Sequence, residues 1–238
     1  MANLTQLGML ERLDGILPVD KPAGISFSTV VKTVKRKFNL VKVGHGGSLD
    51  TMASGLLLLL VNGANKFADG VTGADREWEG VMRLGVKTDT CDVHGRVLAD
   101  AGTVVPPEKT AAAVAEFRGD VFQTEPRYCA VRREGASDWE IADTGEHPRH
   151  LAHVYRLRTS PAGDGRLAFS VLATKSLVVR ALVGDFGDAL GCGACLESLR
   201  RTAIGKFKVA DAVPFARLLE TETKDFASCV TPLTRALL

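Results

Sequence analysis

The sequence predicts an α+β fold in which helices pack on a largely antiparallel sheet. Three observations favour it. Of the 238 residues, 45% are hydrophobic, as in ordinary globular proteins. Both strand-like and helix-like apolar spacings occur along the chain. The two kinds of segment do not alternate strictly, as a parallel sheet of βαβ units would require.

The first third of the chain is predicted to contain a basic helix between two strands. Residues 15–19 indicate a buried strand that ends in a turn-rich cluster. Ser26 or Ser28 can cap the helix that follows, which has apolar residues on one face and four cations on the other. Residues 44–50 (GHGGSLD) form a glycine-rich loop, and the aliphatic run 56–61 indicates a strand buried on both faces.

The rest of the chain is predicted to mix strands with helices around one long loop. Strands are predicted at 78–84, 153–159 and 166–173. Helices are predicted at 64–68, 106–117, 177–190 and 211–220. Residues 124–150 hold few apolar positions and indicate a mobile loop, and loops of that length inside a domain are usually functional.

Composition excludes several classes of protein. Thirty Lys and Arg against 28 Asp and Glu give a formal charge of +2, which excludes a polybasic protein. The longest aliphatic run is far shorter than the ~18 residues of a membrane span. Five irregularly spaced cysteines, with a lone Cys192–Cys195 CxxC pair, favour an intracellular, reducing compartment over disulfides or zinc. The mitochondrion and the cytosol both remain open.

Asp50 is the outstanding candidate for chemistry, because glycines flank it on a tight loop between a basic helix and a buried strand. The alternative is that its carboxylate only bonds the amides of its own loop. A hydrolase triad of His45, Ser48 and Asp50 is disfavoured, since residues so close on one loop seldom reach that geometry. A metal at Asp89 and Asp92 is also disfavoured relative to a side-chain-capped turn, so we expect no metal.

Eight separate segments, in the same order along the chain, resemble motifs of the TruB family of RNA pseudouridine synthases. They are 15–26 (GILPVDKPAGIS), 44–50 (GHGGSLD), 63–66 (GANK), 84–90 (LGVKTDT), 117–120 (FRGD), 175–180 (KSLVVR), 190–194 (LGCGA) and 199–203 (LRRTA). Several collinear motifs are far more specific than any one alone. The resemblance covers about residues 14–220.

The resemblance implies the pseudouridine synthase fold and a cofactor-free isomerisation of uridine in a structured RNA. The usual target of the family is the T-arm loop of tRNA, and an organellar or ribosomal RNA is the alternative. The resemblance assigns the essential nucleophile to Asp50 and the arginine that pairs with it to Arg180. It places His45 where the family wedges the RNA loop open. Lys21 and Lys66 become phosphate or structural contacts near the cleft, with solvated surface lysines as the alternative.

Two substitutions depart from the family pattern. Trp78 stands where the family has a tyrosine that stacks on the flipped base, and an indole can stack but cannot act as a base. Val178 replaces a second tyrosine, and the catalytic loop reads SLDT (48–51) where the family has TLDP. These changes leave an alternative open: a TruB-like RNA-binding protein, catalytically weak or inactive, that acts in ribosome assembly or RNA folding.

The resemblance also sets the expected domain limits and partners. Residues 1–13 are expected to be an extension, 14–220 the synthase domain with 124–150 as its RNA-clasping insertion, and 221–238 a tail. The tail is too short for the PUA domain of bacterial members, so a protein partner could supply that surface. Clusters of cations are expected to line an RNA-binding face with strong salt dependence, at 32–42, 127–133, 149–158 and 200–208.

Overall fold

Helices and mainly antiparallel strands follow one another irregularly along the chain, so the predicted α+β class is confirmed. The computed structural model describes residues 13–102, 107–131 and 140–236. The chain divides into two units. The first unit comprises Met1–Ala74 and Arg201–Leu238, and the second comprises Asp75–Arg200.

The sheet of the first unit is built around β1 (Gly15–Lys21) and β3 (Ser54–Val61), which pair antiparallel along their length. β2 (Val43–His45) pairs with the last residues of β3. A 3₁₀ turn (Asn62–Phe67) and the short helix α2 (Ala68–Thr72) follow β3. The short strand β14 (Val213–Pro214) runs parallel to β1, and β15 (Thr231–Pro232) pairs antiparallel with its start.

The buried strand β3 separates two apolar clusters, as its unbroken aliphatic sequence predicted. Leu57, Leu59 and Val61 face one cluster, which includes the apolar side of helix α1 (Phe27–Lys37). The alternate residues of β3 face the other cluster. Ser26 is the helix cap, since its hydroxyl accepts a hydrogen bond from the Thr29 amide at 3.1 Å.

Residues beyond 220, which the sequence analysis set apart as a tail, contribute to this core. Phe226 and Val230 are buried in the same cluster as α1. The rings of Phe226 and Phe38 stack with centroids 4.0 Å apart. The segment also contains β15 and two short helices, α6 (Phe226–Cys229) and α7 (Leu233–Ala236), after α5 (Phe215–Glu220).

The long strands of the second unit pair antiparallel in the order β4 (Arg76–Leu84), β11 (Arg166–Ala173), β10 (His150–Pro161) and β7 (Gly119–Gln123). Its helices are α3 (Pro107–Glu116) and α4 (Val179–Ala189). A separate small sheet pairs β5 (Val86–Thr88) with β6 (Val97–Asp100). β12 (Ala194–Ile204) begins in this unit and ends in the first, where β13 (Phe207–Lys208) pairs with it.

The predicted mobile loop 124–150 instead contains a β-hairpin of β8 (Tyr128–Val131) and β9 (Glu140–Asp143). Polar contacts close it. Arg127 holds the Asp143 carboxylate through two nitrogens, at 2.8–3.1 Å, and its carbonyl accepts hydrogen bonds from the amide and hydroxyl of Thr144. Arg132, Arg133 and Trp139, which the sequence analysis placed in this insertion, lie outside the described residues.

Two further structural observations concern membrane spans and disulfides. No helix among the described residues is long and apolar enough to cross a membrane. None of the five cysteines, all of which lie among the described residues, forms a disulfide.

Candidate functional site

Asp50 lies on the loop that joins β2 to β3, and it is exposed among buried neighbours. Leu49, Thr51, Met52 and Ala53 are all less than a tenth exposed. The Ala53 amide donates a hydrogen bond to the Asp50 carbonyl at 3.1 Å. The buried neighbours fix the backbone of this loop, while the carboxylate remains at the surface.

Arg201 of β12 holds the loop from inside the first unit. Its side chain is completely buried. Nε donates to the Leu56 carbonyl of β3 at 2.7 Å, Nη1 donates to the Ser48 carbonyl at 2.8 Å, and Nη2 donates to the Gly47 carbonyl at 3.3 Å. One rigid guanidinium therefore joins the start of the Asp50 loop to the strand that follows it.

Lys21 supports the other side of the same loop and is also completely buried. Its ammonium donates hydrogen bonds to the carbonyls of Pro22 at 2.9 Å, Ile25 at 2.8 Å and Thr51 at 3.5 Å. Burial lowers the pKa of Lys21 to about 8, although the nearby charge of Asp50 opposes the shift. Of the two roles predicted for Lys21, the structure supports the structural contact and excludes a solvated surface lysine.

Two glycines allow these elements to approach closely. Gly55, at the start of β3, has φ of +102°, and a Cβ there would lie 2.3 Å from the Arg201 carbonyl oxygen. The Gly24 amide donates to the Thr51 carbonyl at 2.7 Å, which ties the turn after β1 to the loop. Gly55 thus serves close packing of backbone on backbone directly after the Asp50 loop.

His45 ends β2, directly before the loop, and packs against Phe27 with ring centroids 4.7 Å apart. Burial lowers the pKa of His45 below its ordinary value, although a hydrogen bond with the Gly47 backbone opposes the shift, so the neutral ring predominates at pH 7. Its Nδ1 is buried without a hydrogen-bond partner in the described structure. Within the described part of the chain, no hydrogen bond joins His45 to Ser48. The geometry therefore does not support a hydrolase triad of His45, Ser48 and Asp50.

Lys66 is not near this loop. It lies exposed on the 3₁₀ turn Asn62–Phe67, which follows the end of β3, whereas Asp50 precedes its start. The eight residues of β3 span about 25 Å. The structure therefore brings Asp50, His45 and Lys21 together in the first unit and leaves Lys66 at the far end of the strand.

Arg180 occupies the first turn of α4 in the second unit and is buried, with 7% exposure. Its Nη1 donates to the carbonyls of Thr90 at 2.8 Å and Tyr128 at 3.2 Å. Asp92 is buried nearby. Burial raises the pKa of Asp92, and the positive charge of Arg180 opposes that shift.

The Asp89–Asp92 turn is capped by side chains, as the sequence analysis favoured over a metal site. Asp89 accepts from the Arg96 amide at 2.9 Å and from its Nε at 2.8 Å. Asp92 accepts from the His94 amide at 2.9 Å. Within the described ranges, no group of three or more His, Cys, Asp or Glu side chains could hold a metal ion.

Val178 and Trp78 have different surroundings in the second unit. Val178 precedes α4, and its amide and carbonyl both pair with the side-chain amide of Gln123, at 3.1 and 3.3 Å. Trp78 of β4 lies opposite Val171 on β11 and is 6% exposed. The sequence analysis missed Gln123. No signal in the sequence indicated it, because no strand was predicted at 119–123, where Gln123 ends β7.

The expected cation clusters differ in exposure. Lys32, Lys35, Arg36 and Lys37 of α1 are exposed, as the helix pattern predicted. In the cluster at 200–208, however, Arg201 is fully buried, because its charge is used to bind backbone carbonyls of the Asp50 loop. The expectation that Arg201 faces RNA is therefore wrong, and its role is structural.

Comparisons with known proteins agree with the motif resemblance. The model described as TruB family pseudouridylate synthase (N terminal domain) matches residues 35–175, and that of the tRNA pseudouridylate synthase B C-terminal domain matches 180–238. A protein named tRNA pseudouridine synthase B from Opitutus terrae is 39% identical over 209 residues, covering 85% of this chain and 86% of its own. Its namesake from an Azoarcus species is 38% identical, covering 87% and 70%.

A solved archaeal structure is similar across almost the whole chain. It is the box H/ACA sRNP complex of Nop10 and Cbf5, with a TM-score of 0.71 and 25% identity over 96% of this chain and 63% of that one. The present chain thus spans less than two thirds of the archaeal chain that it matches.

Proposed function

The chain belongs to the TruB family of pseudouridylate synthases, and from that premise we propose that it isomerises uridine to pseudouridine in a structured RNA, with Asp50 as the nucleophile. The observation that carries the proposal is an exposed carboxylate on a loop that two buried cations hold in place. A catalytic group must be held accurately and still reach its substrate, and this loop meets both conditions.

The reaction begins with a uridine that leaves its RNA stack, because the target atoms are inaccessible within a stem-loop. The ionised carboxylate of Asp50 attacks either the anomeric carbon of the ribose or the pyrimidine ring. In both routes the bond from C1′ to N1 breaks, the base rotates, and C1′ forms a bond to C5. The C5 proton then leaves, N1 ends with a proton, and the carboxylate is released, so the atoms of substrate and product balance.

Arg180 is proposed as the partner of the Asp50 carboxylate, on the strength of the motif match at 175–180. Its own surroundings suit a positioning role, since two carbonyls hold Nη1 and thereby fix the plane of the guanidinium. His45, neutral and packed on Phe27, is proposed to contact the opened RNA loop beside Asp50.

Trp78 is proposed to stack on the extruded base in place of the family tyrosine. An indole has one N–H donor and no basic site, so the C5 proton must leave to water or another group. The loss of a general base typically costs ~10²–10⁴ in rate. We therefore expect turnover slower than in family members that carry the tyrosine.

The proposal is tested with purified protein and RNA stem-loops of the tRNA T-arm type, together with total RNA, by chemical mapping of pseudouridine. The protein is expected to form pseudouridine, Asp50→Asn to form none, and Asp211→Asn to behave as the parent. Asp211 is an exposed aspartate in the same unit and serves as the matched control. Absence of product from the parent protein on every RNA tried would overturn the proposal, whereas product from Asp50→Asn would overturn the assignment of the nucleophile.

The same assay addresses the alternative of an RNA-binding protein without catalysis. The relatives named above are synthases, and they do not support that alternative. Stem-loops that contain 5-fluorouridine add a direct measure of the chemistry, since an adduct or rearranged product that depends on Asp50 requires bond formation at the base.

A further inference from the structure

An exposed stripe of aromatic and cationic side chains runs over the second unit, on β10 and its edge neighbour β7. Phe122 is 59% exposed, Leu151 is 48% exposed and Tyr155 is 50% exposed. Phe122 and Leu151 are directly opposite in the register of the two strands. We call Phe122, Leu151, His153, Tyr155 and Arg149 the aromatic stripe.

Contacts within the aromatic stripe hold its rings in place. The rings of His153 and Tyr155 lie 4.7 Å apart at an angle of 57°. The Arg149 guanidinium carbon is 5.0 Å from the centroid of Phe122. His153 Nδ1 and Asp120 Oδ1 are 2.6 Å apart. The surface is therefore exposed and largely preorganised, so ligand binding costs little side-chain entropy.

An irregularity in β10 adds one ring to the stripe. The pairing with β11 shifts between Val154 and Arg156, which leaves Tyr155 as an extra residue on the β10 side. Bulges of this kind redirect a side chain. Partial burial raises the pKa of Tyr155, and the negative charge of Asp75 beside it acts in the same direction.

The stripe faces away from the side of the sheet that carries Trp78. Trp78 is paired with Val171, which is also paired with Leu157, and all three are buried. Along β10, Ala152 and Val154 share that buried side, so Leu151 and His153 point to the other. The stripe is thus a different surface of the second unit from the one that contains Trp78.

Three arginines and three acids surround the stripe, so its formal charge is balanced. Arg149, Arg156 and Arg158 lie on this segment of the chain, and Arg149 and Arg158 are exposed. Asp120 pairs with His153, Glu77 lies 3.8 Å from Arg156, and Asp75 lies beside Tyr155. Among the described residues, no acid lies within ion-pair distance of Arg149 or Arg158, so these two exposed cations can bind phosphates.

We propose that the aromatic stripe is a second RNA-contact surface, which binds unpaired nucleotides. Rings on neighbouring strands of an open sheet stack on bases, and arginines between them contact the phosphates. Only unpaired bases have free faces for such stacking, so the ligand is single-stranded RNA that flanks a structured substrate. The inference rests on the proposed function to the extent that the substrate is RNA.

Fluorescence anisotropy with a labelled 12-nucleotide oligouridine, and with the same strand in a duplex, tests the proposal. The oligouridine is expected to bind more tightly than the duplex, with an affinity that falls as salt rises. Phe122→Ala and Tyr155→Ala are each expected to raise the Kd for the oligouridine by about 5- to 100-fold, the range for one lost stacking ring. Leu98→Ala is the control, since Leu98 is 60% exposed in the same unit but lies on β6.

Binding of the oligouridine that is unchanged in both variants would overturn the proposal, as would equal loss in the Leu98→Ala control. Self-association of the parent that disappears in Phe122→Ala, seen by size-exclusion chromatography without a change in RNA affinity, would assign the stripe to a protein interface instead. Thermal melts confirm that each variant is folded. The measurement needs no turnover, so its outcome is separate from that of the isomerisation assay.

Discussion

Replacing Arg201 with lysine tests whether one buried guanidinium positions the Asp50 loop. Arg201 donates to three carbonyls, at 2.7, 2.8 and 3.3 Å, whereas a lysine ammonium at a different reach can satisfy only part of that set. Each buried carbonyl left without a donor costs about 1–3 kcal/mol. With one or two carbonyls lost, the free energy of unfolding is expected to fall by about 1–6 kcal/mol.

The effect of Arg201→Lys on catalysis follows from the same contacts. Two of the three carbonyls belong to Gly47 and Ser48, so their release shifts the backbone that leads to Asp50. A misplacement of about 1 Å costs on the order of 10² in rate. Urea unfolding measures the stability, and single-turnover pseudouridine formation measures the rate at saturating RNA.

Arg217→Lys provides the control for this experiment, because Arg217 is an exposed arginine of α5 in the same unit. Its urea midpoint and single-turnover rate are expected to match those of the parent. If Arg201→Lys also matched the parent in both measurements, the loop would not depend on the guanidinium and the argument for a positioned Asp50 would fail.

Three further predictions concern backbone approach, a buried charge and the hairpin of β8 and β9. Gly55→Ala is expected to lower the free energy of unfolding by about 2–6 kcal/mol, because the added Cβ strains the backbone and overlaps the Arg201 backbone. Gly70→Ala is the control and is expected not to lower it, since no atom lies within 4 Å of a Cβ at that position. Equal urea midpoints for the two variants would refute the close approach of Gly55 to Arg201. The pKa of Lys21 falls from 10.5 to about 8 on folding, so the unfolded chain binds more protons than the folded chain between these pH values. The free energy of unfolding of the parent, relative to that of Lys21→Met, is therefore expected to rise by about 3 kcal/mol as the pH increases from 8 to 10.5. A difference between the two proteins that stays constant with pH contradicts this. Asp143→Asn removes the bidentate ion pair, so amide hydrogen exchange in β8 is expected to accelerate with little change in melting temperature; unchanged exchange argues against the ion pair as the closing contact.

The position of Asp50 was predictable because its signals are local. A glycine-rich segment before an unbroken aliphatic run indicates a loop followed by a strand buried on both faces, and the structure has that arrangement. The role of Arg201 was not predictable in this way. Its carbonyl partners lie 145–154 residues earlier in the chain, and a cation in a basic segment normally indicates exposure.

The insertion at 124–150 was predicted wrongly as a loop. Residues 124–150 lack the alternation of apolar residues that indicates strands, so the sequence predicted a loop. The hairpin within it depends on contacts between Arg127 and Asp143, which are 16 residues apart, and on Thr144. Polar side chains that pair across such a distance leave no periodic pattern, since each is equally compatible with solvent.

The first unit meets two demands on a nucleophilic carboxylate: it must be held in position, and it must remain accessible to its substrate. A carboxylate can be positioned through its own oxygens or through the main chain that carries it. Here Arg201 and Lys21 bind the backbone carbonyls on both sides of Asp50, at Ser48 and Thr51, so the main chain that carries the carboxylate is fixed by contacts that do not use its oxygens. The cost of burying two cations is offset by six hydrogen bonds to carbonyls, and the benefit is a carboxylate that remains at the surface for its substrate.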